Sequence, residues 1–214
     1  MGEIVTALGD RPIVLAGMPG AGKSTIGRHL AKRLRLNFID SDAAIRTEAG
    51  MSINELCKSY GEQHFKDLEA RVIARALRQG PAVLATGSDS FIHDETRSLI
   101  HDKAVSIWLK ADTDVIVRRN KGRSGRRLLQ TPDLEATVAE QIRERAPVYQ
   151  TADLTIGSGD MSKKNQVEDC VAALHAHLRG EGKSTRAPPT IVETSQSCRP
   201  SLRTPECRIR RSWL

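Results

Sequence analysis

The chain is poor in aromatic residues: Phe, Trp and Tyr together make up 3% of its 214 positions. Few platforms are therefore present on which nucleic-acid bases could stack. Cysteine is scarce as well. Cys57, Cys170, Cys198 and Cys207 form no C-x-x-C pair and no cysteine–histidine cluster with metal-ligand spacing, which argues against a zinc site. Thiols so arranged fit a reducing compartment. No apolar run approaches the length of a membrane span, and the N-terminus lacks the basic-then-apolar layout of a signal peptide. Met1-Gly2-Glu3-Ile4-Val5-Thr6 formally fits an N-myristoylation pattern, but so short a pattern arises often by chance. The expectation is a cytoplasmic protein with neither nucleic acid nor membrane among its partners, and with monomer as the default state.

Charge narrows the expectation further. The net charge is +7, and from Gly180 onward seven Lys/Arg face three Asp/Glu, a surplus of +4. The remaining +3 is a modest excess that suits a site for anionic small molecules. No nucleic-acid recognition motif accompanies the basic tail.

What organises the chain is Gly17-Met-Pro-Gly-Ala-Gly-Lys-Ser-Thr25, a match to G-x-x-x-x-G-K-[ST]. An apolar strand, 12–16, leads into it and a helix, about 23–34, leaves it, with Ile26, Leu30 and Leu34 at helical spacing. Glycines let the backbone curl so that the N–H groups of Gly20, Ala21, Gly22, Lys23, Ser24 and Thr25 point at an anion, and the helix N-terminus adds its dipole. Lys23 can reach the outer phosphates of a nucleotide and the Ser24 hydroxyl can hold Mg²⁺. A second strand, 37–39, delivers Asp40 and Asp42 at its carboxyl end, where ligand groups sit in open α/β sheets. Helix caps are the structural alternative for these two acids, with Ser41 as a further cap.

Strands at 82–85, 104–109 and 154–156 alternate with helices at 62–77, 94–100, 112–119, 133–146 and 167–178, with Pro147 ending the fourth of these. A capping box at Ser52–Glu55 opens a further helix that Gly61 breaks. Residues 1–11 read as a lead-in, Trp108 as core, and Asn120 to Pro132, rich in Lys, Arg and Gly, as a mobile basic loop. The pattern implies a mostly parallel sheet covered on both faces, in one domain over 1–179. The Ser/Arg/Pro-rich remainder, 180–214, is expected to be a disordered basic tail with Trp213 exposed.

Beyond the glycine loop, the chain resembles shikimate kinase over roughly residues 11–178. The resemblance rests on GMPGAGKSTIGRHLA, FIDSD, GEQHFKDLE, VLATG, RRLL and ERAPVY, in the family's order and spacing. It implies a P-loop, nucleoside-monophosphate-kinase-like fold: a three-layer α/β/α sandwich with a five-stranded parallel sheet of order 2-3-1-4-5 and a mobile lid at 120–132. It implies transfer of the ATP γ-phosphoryl group to the 3-hydroxyl of shikimate, with Mg²⁺ as metal, on the way to chorismate and the aromatic amino acids. Phosphoryl transfer needs alignment and charge neutralisation above all. Lys23 and the loop amides would hold the β and γ phosphates, Ser24 would ligate Mg²⁺, and Asp40 would act on the metal through water. Asp42 would orient the attacking hydroxyl and take its proton. Arg126 in the lid matches the family's ATP-contacting arginine, Arg119 the one near the adenine, and Arg145 one of two cations that hold the substrate carboxylate.

Three departures stand out. The family's glycine triplet reads Gly87-Ser88-Asp89 here, and positive φ at the last two would be strained. The second carboxylate-binding arginine is Lys66, which keeps charge but loses the planar fork, with Glu69 at the place of its acidic partner. The lid reads Arg126-Arg127-Leu128-Leu129 where the family has Arg-Pro-Leu-Leu. The nucleotide half is intact, whereas the substrate half (Asp42, Lys66, Gly87, Ser88, Arg145) is altered. Two alternatives follow: a P-loop kinase of another small hydroxylated acid or sugar, and a catalytically impaired nucleotide-binding homologue.

Overall fold

The computed structural model describes residues 2–121, 133–159 and 161–181. Strands β1 (Ile13–Ala16), β2 (Asn37–Asp40), β3 (Ala82–Ala85), β4 (Val105–Lys110) and β5 (Leu154–Gly157) form one parallel sheet of order β2-β3-β1-β4-β5. β1 lies at the centre, with every residue buried, and β3 beside it is equally apolar. Such unbroken hydrophobic runs are what a sheet covered on both faces requires. The edges β2 and β5 carry more exposed residues.

The covering helices are α2 (Lys23–Leu34), α3 (Ser41–Ala49), α4 (Ile53–Ala76), α5 (Asp94–Lys103), α6 (Thr113–Asn120), α7 (Leu134–Tyr149) and α8 (Lys163–Leu178). The Ser52–Glu55 capping box forms, and Gly61 interrupts α4 with φ 85° and ψ 164°. α8 is closed by a glycine cap: Gly180 has φ +73°, and the Glu181 amide donates back to Ala176 O at 2.9 Å. A small second core of Ile45, Leu56, Leu68 and Val72 joins α3 to α4.

Three details differ from expectation. Residues 2–8 are a helix, α1 (Gly2–Leu8), rather than a lead-in; Ile4 and Leu8, four apart, are buried. Pro147 does not end α7, which runs to Tyr149. Proline removes one amide donor, but Tyr149 is 1% exposed and stacked between Phe91 (6.2 Å between centroids) and Trp108 (5.9 Å), so packing holds the last turn. The cap of α3 is Asp40, whose Oδ1 accepts the Ala43 amide at 3.1 Å, and not Ser41. Ser41 is buried inside the first turn, where its hydroxyl accepts the Gly87 amide at 3.0 Å.

Candidate active site

The glycine loop lies between β1 and α2 at the carboxyl edge of the sheet. Gly20 has φ +87°, and a Cβ there would run into the Asn120 side-chain amide. Only glycine meets both demands. Asn120 is buried and donates from Nδ2 to Pro19 O at 3.1 Å and to Ile116 O at 2.7 Å. It therefore closes α6 against the loop, and the basic segment starts after it. Lys23 Nζ donates to Gly17 O at 2.6 Å and Met18 O at 3.2 Å, so the ammonium lies over the loop's own curl. Ser24 and Thr25 are the next two residues of α2, both half-buried.

Arg119 braces this loop. Nη1 donates to Gly20 O at 3.3 Å and to Ser158 Oγ at 3.2 Å, while Nη2 donates to Gly159 O at 2.8 Å. The Ser158 hydroxyl in turn donates to Ala21 O. One arginine and one serine thus tie the glycine loop to the turn after β5. Among described residues this is the contact set of the arginine expected near the adenine.

The carboxylates gather on the other side of Lys23. Glu69 on α4 is 3% exposed, and Ser90 Oγ donates to its Oε1 at 2.7 Å. Burial above all pushes this carboxyl up to about 7. The Ser90 hydrogen bond pulls it down, the charges of Asp42 and Asp89 push it up, and that of Lys23 lowers it. A Cβ on Gly87 would strike Glu69 Oε1 and would stand 3.0 Å from Ser90 Oγ and 3.4 Å from Asp42 Oδ1. Gly87 is therefore the close-approach point at which Asp42 and Glu69 converge on the strand-β3 turn. Lys66, expected to pair with Glu69, stands exposed on α4, and the buried carboxylate is turned to Ser90 instead.

The altered triplet carries none of the strain that positive φ would bring. Among described residues the only non-glycine at positive φ is Arg35, so Ser88 and Asp89 adopt ordinary backbone. Their turn is closed by Asp89 O, which accepts the Ile92 amide at 2.9 Å and the His93 amide at 3.3 Å. Tyr149 Oη donates to Ser88 O at 2.7 Å, and burial pushes its phenol well above the usual range. Arg145, one turn earlier on α7, places Nη1 2.7 Å from Asp89 Oδ1. Asp89 thus faces the arginine expected to hold the substrate.

Of the expected site residues, Lys23, Asp42, Gly87, Ser88 and Arg145 surround one region at the sheet edge. Gly20, Ala21 and Gly22 belong to the adjoining loop, Ser24 and Thr25 to the first turn of α2, and Arg119 to the end of α6 beside it. Asp40 sits at the end of β2, with Oδ1 engaged as a cap. Arg126, with the rest of the lid from 122 to 132, lies outside the described residues, as do 182–214 with Cys198, Cys207 and Trp213. Sequence reasoning missed Ser90, Asn120, Ser158 and Tyr149. Ser90, Asn120 and Ser158 stand in no motif, and Tyr149 closes the ERAPVY stretch, which does not itself disclose its contact with Ser88; each role is recognisable only through a partner distant in sequence. No cluster of three or more metal-ligating side chains occurs among the described residues, and no helix there is long and apolar enough to cross a membrane. Neither Cys57 nor Cys170 is in a disulfide, and burial pushes the Cys170 thiol up to about 12.

A glycine loop at the N-terminus of α2, a 2-3-1-4-5 sheet and an acid–base cluster beside the loop lysine define a P-loop kinase fold. Comparisons with known proteins narrow the class. A family model described as shikimate kinase matches residues 19–175. A shikimate kinase of Bradyrhizobium diazoefficiens is 54% identical over 193 residues, covering 90% of this chain and 92% of that protein. One from Rhodopseudomonas palustris is 55% identical over 82% of this chain and 87% of its own. Among solved structures, the shikimate kinase of Acinetobacter baumannii in complex with shikimate superposes with a TM-score of 0.75 at 27% identity, over 78% of this chain and 94% of that one. The chain belongs to the shikimate kinase family.

Proposed function

We propose that this protein transfers the γ-phosphoryl group of ATP to the 3-hydroxyl of shikimate, giving shikimate 3-phosphate. The observation that carries the reading is the meeting of Lys23, Asp42 and Arg145 at one sheet edge, in a chain more than half identical to shikimate kinases. The α2 N-terminus and Lys23 bind and neutralise the phosphates. Asp42, held against Gly87, orients the attacking hydroxyl and accepts its proton. Arg145 takes the substrate carboxylate, with the exposed Lys66 as a second cation and Ser88 in the turn that Arg145 faces. Arg119 holds the loop in shape and flanks the nucleotide. Arg126 is assigned to the phosphates by the family pattern alone.

Mg²⁺ fits the donors present. The Ser24 hydroxyl and the Asp40 carboxylate are hard oxygen donors that would hold it, the latter through water. When bound, it would supply neutralisation of phosphate charge. We further assign the kinase domain to 1–179, since the described elements run from Gly2 to Leu178, and place the protein in the cytoplasm as a monomer.

The test is ADP release by the full chain from Mg·ATP, with and without shikimate. Shikimate-dependent release, with the ester located on the 3-hydroxyl by phosphorus NMR, is the expected result. ATP binding without shikimate-stimulated turnover refutes the reading. A second reading, a kinase of an uncharged hydroxylated compound, draws on the Asp89–Arg145 pair; uncharged polyols in the same assay decide between the two.

A further inference from the structure

We propose that Asp89 is a specificity-determining residue: a built-in counter-ion that occupies Arg145, so that a carboxylated substrate enters only by displacing it. The inference rests on the function proposed above, in which the substrate brings a carboxylate to Arg145.

The geometry is held from both sides. Arg145 and Tyr149 lie four residues apart on α7 and so share a face. Tyr149 Oη grips the Ser88 carbonyl, while Asp89 O receives two amides within its own turn. The backbone beneath Asp89 is fixed by groups other than its carboxylate. Asp89 Oδ1 stands 2.7 Å from Arg145 Nη1, an ion pair through one nitrogen without hydrogen-bond alignment; the arginine side chain is 16% exposed and that of Asp89 42%. A guanidinium offers a planar fork that suits one carboxylate at a time. A second carboxylate arriving at that fork meets Asp89 as a like charge, with Asp42 and, where it is ionised, Glu69 adding to the acidic cluster. Lys23 lies on the phosphate side and Lys66 is exposed.

Discrimination between an acid and its neutral analogue is a difference of two affinities. Asp89 weakens the acid and leaves an uncharged ring untouched by this competition. The chain as it stands should therefore distinguish shikimate from methyl shikimate poorly.

The experiment compares the full-length protein with Asp89→Asn, measuring Kd by calorimetry and KM against kcat for shikimate and for methyl shikimate. Asparagine removes the charge and keeps the side chain's size. Expected is a fall of about 10- to 100-fold in KM and Kd for shikimate, as for relief of a close like-charge contact, with a smaller change in kcat. Methyl shikimate should respond by less than about threefold. In an Arg145→Gln background, Asp89→Asn should lose most of its effect on the acid-to-ester ratio. A purely structural role would move both ligands together. An unchanged or raised KM for shikimate, in a parent enzyme that turns shikimate over, overturns the inference and leaves the function standing. Parent and variant that both bind ATP and both ignore shikimate overturn the function and the inference with it.

Discussion

Glu69 invites a thermodynamic test because its proton is held by burial. In the folded chain its carboxyl titrates at about 7, against the ordinary 4.5. Below pH 4.5 both folded and unfolded chains carry the proton, and the folded state has its full advantage. Between 4.5 and about 7 the unfolded chain has released the proton and the folded chain has not, so stability falls as pH rises. Above about pH 8 both are ionised and the stabilisation is gone. Each pH unit of that window is worth about 1.4 kcal/mol, so the loss amounts to about 3 kcal/mol. Glu69→Gln retains an acceptor for the Ser90 hydroxyl and cannot ionise. Urea unfolding followed by far-ultraviolet circular dichroism, at about pH 5 and about pH 8.5, reads the difference. Near pH 5 parent and variant should agree within about 1 kcal/mol. Near pH 8.5 the variant should be the more stable by about 3 kcal/mol. Acids other than Asp42 and Asp89, whose charges act on Glu69, contribute equally to both proteins and cancel. Parallel pH profiles would refute the reasoning, for they would mean that Glu69 ionises in the folded chain as it does in water.

Arg119→Ala should raise the Kd for ATP by about 10- to 100-fold, because loss of its contacts to Gly20, Ala21, Ser158 and Gly159 loosens the glycine loop from the turn after β5; calorimetry with a non-hydrolysable analogue measures it. Gly87→Ala places a methyl group against Glu69 Oε1 and Ser90 Oγ. It should cost about 1–3 kcal/mol in urea unfolding and depress turnover with it, since Asp42 lies at the same point; normal stability with normal turnover would show that the cluster gives way freely.

The sheet was legible because β1, β3 and β4 are short apolar runs bounded by loops, and because the glycine loop marks where the first strand meets its helix. α1 was not, since seven residues with two buried apolar positions carry too little period to be told from a lead-in. α7 was misjudged at Pro147 because the local rule is overridden by Tyr149, whose stacking partners Phe91 and Trp108 lie far away in sequence. The site divides in the same way. Lys23, Ser24, Asp40 and Asp42 belong to local patterns. Ser90, Ser158 and Asn120 act on Glu69, Ala21 and Pro19 across long sequence separations, and nothing in their neighbourhood announces it. The direction of Asp89 is of this second kind: it depends on a helix that begins more than forty residues later.

Positions 88 to 90 work as one anchored turn through three different kinds of contact. Ser88 offers its carbonyl to Tyr149, Asp89 its carboxylate to Arg145, and Ser90 its hydroxyl to Glu69. Only the last two use the side chain, so replacing the residues by glycine should not have uniform effects. Ser88→Gly keeps the carbonyl that Tyr149 holds and removes only the hydroxymethyl group. Its cost is the extra freedom of the unfolded chain, about 0.5–1 kcal/mol, and its effect on the KM for shikimate should be smaller than that of a change at Asp89. A Ser88→Gly variant that alters the KM as much as Asp89→Asn would mean that the backbone of the turn, rather than the charge at Arg145, governs entry of the substrate.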